Sequence, residues 1–173
     1  MFRDAKRYIA VQAVVEFVGN AVLNGVFGWY WTQGMERVPL WGWASVAADL
    51  TGTGFGIGLV LALIFTWRCH RRLRAGTTLP AQAYPGRLPR LIHQLPFKPW
   101  WRAGSIGLAG ACMAVFLILL LHALGHRSID RTDFIVLKIV FAAIVAAVAI
   151  VIVGYRALGD GVTPERPRGY WPG

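Results

Sequence analysis

Residues 134–155 read FIVLKIVFAAIVAAVAIVIVGY, and Lys138 is the only charged residue in this run of 22. A helix rises about 1.5 Å per residue, so a run of this length crosses a hydrocarbon core of about 30 Å. The run is continuously apolar and lacks the alternation of a membrane-barrel strand. It therefore predicts a transmembrane helix.

Three further apolar runs of similar length lie at about residues 8–31, 43–67 and 103–124. The composition agrees with a membrane protein, since 56% of the 173 residues are hydrophobic and 15% are charged. A soluble domain of this size needs more charge to cover its surface. The sequence thus predicts an all-α integral membrane bundle of four transmembrane helices in a single domain.

The basic residues are distributed unevenly between the two sides of this bundle. The head, the second connection (68–102) and the tail (156–173) carry fourteen Lys and Arg residues, whereas the first and third connections carry three. The positive-inside rule then predicts that both termini and the second connection are cytoplasmic. We expect a multi-pass membrane protein without a cleaved signal peptide, because the first apolar run is too long for a signal core.

The second connection is a basic loop that contains five of the nine prolines, and the tail is also rich in proline. Prolines interrupt helices, so a flexible tail and an extended, surface-lying loop are expected. The net charge of +10 indicates contact with anionic lipid headgroups and not with nucleic acid, because the basic residues flank membrane spans. The alternative for the loop is a docking site for a cytoplasmic partner.

Span one carries polar residues four positions apart, which places them on one helix face. Lipid cannot satisfy such groups, so this face must contact protein or water. A charged carboxylate is costly at that depth, so the glutamate needs either a proton or a nearby cation. It is either the titrating group of proton-coupled transport or a protonated group that holds helices together. The four residues are Gln12, Glu16, Asn20 and Asn24.

Span two carries Asp49 and Thr53 with the same spacing, together with glycines at every second position. Small residues four apart allow two helix backbones to approach closely. Tight packing is the main prediction, and a glycine-lined substrate path is the alternative. The glycines are Gly52, Gly54, Gly56 and Gly58.

Lys138 and Asp49 are expected at similar depth near the outer ends of their spans, where His122 could join them. An ion pair between the first two would lessen the burial cost of each charge, while the alternative for Lys138 is to extend to the outer headgroups. His122 and His126 have a metal-ligand spacing, but they lack an evident third protein ligand. We expect no metal, no haem and no other cofactor.

The segment VQAVVEFVGNAVLNGVFGWYW (11–31), followed by VPLWGWASVAADLTGTGFG (38–56), resembles small bacterial inner-membrane proteins described as permease-like. The glutamate in span one is also similar to that of the small multidrug resistance exporters, but those chains are shorter and have very short loops. The permease-like resemblance implies a four-span membrane protein and supplies no functional residues.

Two functions remain open from the sequence. The first is a permease-like or transport-associated protein, coupled to protons through Glu16, with Asn20 and Asn24 lining the path. Four helices rarely enclose a path alone, so a homo-oligomer or a membrane-protein partner is expected. The second is a non-transporting assembly subunit of a larger complex. We expect no enzyme, because neither a catalytic pair nor a phosphate-binding loop motif is evident.

Overall fold

The computed structural model of the chain describes residues 5–76, 92, 95–96 and 98–159. These residues form four long helices, with one three-residue strand between the first and second helices and another between the third and fourth. In chain order the elements are α1 (Ala5–Trp31), β1 (Arg37–Pro39), α2 (Val46–Arg74), α3 (Pro99–Ala123), β2 (Ser128–Asp130) and α4 (Arg131–Gly159).

All four helices are long and apolar enough to cross a membrane. The chain is therefore a multi-pass membrane protein built almost entirely of α-helix, as the sequence predicted. The short antiparallel pair β1–β2 was not predicted, because a three-residue strand leaves no periodic pattern in a sequence.

The helices extend beyond the apolar runs that predict them. Helix α2 continues to Arg74 and α3 begins at Pro99, so both ends of the predicted loop 68–102 are helical. Helical hydrogen bonds need no apolar side chains, and proline is tolerated in a first turn because its missing N–H has no helical partner there. The remaining calls on the loop and the tail concern residues 77–91, 93–94, 97 and 160–173, which lie outside the described residues.

Two arginines that flank the predicted spans are buried within the protein. Arg102 lies in the first turns of α3 and is 0% exposed, while Arg156 near the end of α4 is 9% exposed. The Nε of Arg156 donates to the carbonyl oxygen of Leu95 at 3.3 Å. The segment before α3 is thus attached to α4.

Helix α4 lies between α1 and α2, and α3 packs on another side of α2. The α1–α4 and α2–α3 contacts are antiparallel, whereas α2 and α4 run parallel, because Phe65 late in α2 lies against Gly154 late in α4. Ile9 of α1 lies against Gly154 of α4, and Tyr8 stacks on Phe65 of α2 with ring centroids 5.7 Å apart. We call the end where α1 begins and α4 ends the terminal end, and the end that carries β1 and β2 the strand end.

Helices α2 and α3 touch through their backbones at four glycines. A Cβ on Gly54 would lie 2.5 Å from the carbonyl oxygen of Gly110, and a Cβ on Gly58 would lie 2.8 Å from the Cα of Gly107. Real Cβ atoms do not approach other atoms so closely, so only glycine fits here. This contact gives dispersion energy where hydrophobic burial gives none, because lipid is as apolar as the helix.

Backbone and side-chain bonds close the strand end. Strands β1 and β2 pair with Val38 opposite Ile129. Arg131, the first residue of α4, donates from Nε to Oγ1 of Thr32 at 3.1 Å and from Nη2 to the carbonyl oxygen of Trp29 at 3.1 Å. The guanidinium thereby satisfies a carbonyl that the end of α1 leaves without a helical partner.

Candidate functional site

An ion pair between α2 and α4 lies inside the bundle near the strand end. Nζ of Lys138 is 2.5 Å from Oδ1 of Asp49, and the two side chains are only 5% and 16% exposed. The aliphatic part of Lys138 lies beside Gly28 of α1, where a Cβ would be 3.4 Å from Cδ of Lys138, an ordinary van der Waals contact. The pairing predicted for these two residues is what the structure shows, and Lys138 does not extend to the headgroups.

One oxygen of this ion pair has no hydrogen bond. Oδ2 of Asp49 is buried and has no partner among the described residues. His122 does not complete the site, because its Nδ1 accepts from the indole of Trp41 at 3.4 Å on an exposed surface. Thr53 lies one turn along α2 from Asp49 and is half-buried.

The polar face of α1 is satisfied largely by its own helix. Nδ2 of Asn20 donates to the carbonyl oxygen of Glu16 at 3.0 Å, and Nδ2 of Asn24 donates to the carbonyl oxygen of Asn20 at 3.0 Å. Asn20 is buried, whereas Gln12, Glu16 and Asn24 are half-buried. The two amides therefore need no water or solute for these bonds.

Glu16 has a nearby cation, which lowers the cost of a charged carboxylate inside the membrane. Nη1 of Arg68, from the last turns of α2, lies 3.8 Å from Oε1 of Glu16, with the side chains 48% and 21% exposed. Nδ2 of Asn20 is 3.5 Å from Oε2 of the same carboxylate. Both distances are long for hydrogen bonds, so the carboxylate is held by charge more than by a fixed contact.

The Glu16–Arg68 pair borders an open cleft of about 470 Å³ between α1 and α2 at the terminal end. We call it the α1–α2 cleft. Arg71 lies over the ring of Trp67 at 5.6 Å, and Arg72 lies over the ring of Tyr8 at 4.5 Å. Its lining includes Tyr8, Gln12, Trp67, Arg68, Arg71 and Arg72.

Comparison with known proteins finds no matching family model, no matching curated protein and no matching solved structure. The resemblance to permease-like proteins therefore stays a prediction.

The structure divides the four predicted packing glycines into two pairs. Gly54 and Gly58 lie in the contact with α3, but a Cβ on Gly52 or Gly56 would meet no atom within 4 Å. The expectation that all four pack against a helix is thus incorrect within this chain. Two residues along a helix are about 200° apart around its axis, so alternate glycines point to opposite sides.

Two groups of residues were missed in the sequence. Gly107 and Gly110 form the α3 half of the glycine contact, and their spacing of three was the available signal. Arg71 and Arg72 were counted only as loop charges, although the run RCHRRLR at 68–74 directly continues a predicted helix. Extending the helix by two turns places three of these arginines on one side.

The described residues contain no group of three His, Cys, Asp or Glu side chains that could hold a metal ion. Cys69 is buried, Cys112 is exposed, and neither forms a disulfide. The candidate sites on the described helices are therefore the Asp49–Lys138 pair, the Glu16–Arg68 pair and the arginine-lined cleft.

Proposed function

We propose that this chain is a small transport-associated membrane protein in which Glu16 is the proton-sensitive group. The observation that carries the proposal is the loose pairing of Glu16 with Arg68 at the border of the α1–α2 cleft. Ionisable residues at membrane depth are costly, and they commonly mark ion or proton pathways. A carboxylate 3.8 Å from its cation can gain a proton without breaking a short buried bond.

The proposal includes assembly with a second copy or with another membrane protein. Helix α1 is the least covered of the four, since only 11% of its most apolar window is buried within the chain. Gln12 and Asn24 on this helix are half-buried, and a neighbouring subunit would remove them from lipid. A solute path would then lie between subunits and not inside one chain.

The proposed location is a bacterial inner membrane with the terminal end in the cytoplasm. The fourteen basic residues predicted on that side, against three on the other, support this orientation. A reporter that is active only in the cytoplasm should be active when fused after Gly76 or at the C-terminus, and silent near Met35 or Ser128. The opposite pattern would reverse the orientation.

The function is tested by comparing Glu16→Gln with Glu16→Leu in the purified full chain. Glutamine keeps the shape and the hydrogen bonds of the side chain but cannot titrate. Under the transport proposal, Glu16→Gln folds and assembles normally and loses the pH dependence of ligand binding or of flux in liposomes. A wild-type protein without proton dependence, together with a neutral Glu16→Gln, would remove the transport proposal.

A second candidate is a non-transporting assembly subunit. The back-bonded amides of Asn20 and Asn24 favour it, because they are satisfied without a solute. In this case Glu16→Gln has little effect on assembly, and Glu16→Leu is the damaging change, by about 1–2 kcal/mol at most. Oligomeric size and thermal stability in detergent distinguish the two variants.

A further inference from the structure

The α1–α2 cleft gathers three arginines from one stretch of α2. Arg68, Arg71 and Arg72 follow the spacing that places side chains on one helix face, and all three line the cleft. Glu16 is the carboxylate beside them, at 3.8 Å from Arg68. Among the described residues, three positive charges and one negative charge lie at the cleft, so these residues give it a net positive charge.

Aromatic rings lie beside two of these arginines. Cζ of Arg71 is 5.6 Å from the ring centroid of Trp67, and Cζ of Arg72 is 4.5 Å from that of Tyr8. A guanidinium carries its five N–H donors around the edge of a planar group. This geometry binds phosphate oxygens through paired N–H groups.

The cleft lies at the level of the lipid headgroups. Helix α2 is apolar from residue 54 to residue 67 and basic from Arg68 to Arg74, so the hydrocarbon boundary falls near Trp67. Trp67 itself is 62% exposed, as expected for a tryptophan at the membrane interface. The volume of about 470 Å³ exceeds that of one phosphate and has room for a phosphate with its glycerol.

Exposed apolar side chains continue from the cleft toward the membrane centre. Ile64 precedes Arg68 by one turn of α2 and is 47% exposed, and Val15 follows Gln12 by about one turn of α1 and is 54% exposed. A soluble phosphate would gain nothing from these surfaces, whereas acyl chains would lie along them. This favours a lipid as the source of the phosphate.

We propose that the α1–α2 cleft binds the phosphate group of an anionic glycerophospholipid from the leaflet at the terminal end. Arg68 and Arg71 contact the phosphate, Arg72 supplies further positive charge, and Trp67 covers the glycerol. This site is specific in position, unlike the diffuse attraction of a basic loop to a charged surface. It goes beyond the proposed function and does not depend on it.

The test measures lipid binding to the full chain in a neutral detergent, by native mass spectrometry and by thermal stabilisation. The probes are phosphatidylglycerol, phosphatidylcholine and inorganic phosphate at equal phosphorus concentration. We expect stabilisation by phosphatidylglycerol alone. Arg71→Gln should weaken its binding about tenfold or more, because a charge-assisted hydrogen bond is lost. Arg68→Gln should act in the same direction.

The matched control is Arg74→Gln, which removes the same charge from the same end of α2 but lies outside the cleft lining. It should leave phosphatidylglycerol binding within about twofold of the wild type, since a distant exposed charge contributes little. An equal loss in Arg71→Gln and Arg74→Gln would show a diffuse charge effect and overturn the site. Equal binding of inorganic phosphate or of phosphatidylcholine would overturn the assignment to an anionic lipid.

Discussion

Two ion pairs join α2 to its neighbours near opposite ends of the bundle, and they differ in length and in exposure. Asp49–Lys138, toward the strand end, is short and almost fully buried, at 2.5 Å. Glu16–Arg68, toward the terminal end, is 3.8 Å long, and its arginine is 48% exposed. The first pair fixes three helices at one level, while the second borders an open cleft.

The difference follows from what surrounds each pair. Near the strand end, two short connections hold the helix ends together through β1 and β2, and the Lys138 stem lies beside Gly28 of α1. Near the terminal end, α1 and α2 meet chiefly through side chains such as Tyr8 and Phe65. The strand end is therefore the more tightly held of the two, and the proposed proton-sensitive group and lipid site both lie at the terminal end.

Removing Lys138 should have the largest effect on stability. Lys138→Met keeps the length of the stem but leaves the Asp49 carboxylate buried without its cation, which costs about 3–5 kcal/mol in buried pairs. We expect a corresponding fall in the free energy of unfolding, measured by denaturant titration in detergent micelles. Lipid binding at the α1–α2 cleft should equal that of the wild type when it is compared per folded molecule.

The double variant Asp49→Leu, Lys138→Met sharpens this prediction. An apolar pair of similar volume is often neutral or stabilising in place of a buried ion pair. The double variant should therefore recover most of the stability that the single variant loses. If both variants are equally unstable, the cost arises from lost packing around Lys138 and not from an unpaired charge.

The glycine contact between α2 and α3 gives the next largest effect. Gly54→Leu places a side chain where the Gly110 backbone already lies, and overpacking of this kind costs about 1–3 kcal/mol. Gly52→Leu is the matched control, because a side chain there meets no atom of the chain within 4 Å. Thermal unfolding in detergent should separate the two variants, and oligomeric size should reveal any contact of Gly52 with another subunit.

The sequence predicted the four helices because hydropathy alone determines which segments cross a membrane. It could not choose between Gly52 and Gly54 as packing residues, since alternate glycines offer two opposite faces and only the position of α3 selects one. It required either a proton or a nearby cation for Glu16, and Arg68, which supplies the cation, was assigned to a loop. Apolar content ends at Trp67, whereas the helix continues to Arg74.

The cleft was missed for the same reason. Arginine side chains at residues 68–74 become a directed cluster only when the backbone is helical and α1 lies beside it. The ion pair of Lys138 with Asp49 was predicted because both residues lie in unmistakable spans at similar depth. The depth of residues inside apolar runs could thus be predicted from the sequence, whereas the neighbour that each helix face contacts and the position of residues at the headgroup boundary could not.

The smallest effect is expected for the Glu16–Arg68 pair, and it is the sharpest test of the contrast between the two ends. Partly exposed ion pairs contribute about 0–1 kcal/mol, because water screens them and two long side chains must be ordered. A double-mutant cycle with Glu16→Gln and Arg68→Gln should therefore give a coupling energy in unfolding below about 1 kcal/mol. The same cycle at Asp49 and Lys138, with Asp49→Leu and Lys138→Met, should give a coupling energy several times larger, since each single variant leaves an unpaired buried charge.

Added salt should reduce the coupling energy of Glu16 with Arg68 and leave that of Asp49 with Lys138 almost unchanged, because ions reach only the exposed pair. Equal coupling energies with equal salt dependence would mean that both pairs are structural, and Glu16 would then lose its place as the group that responds to protons.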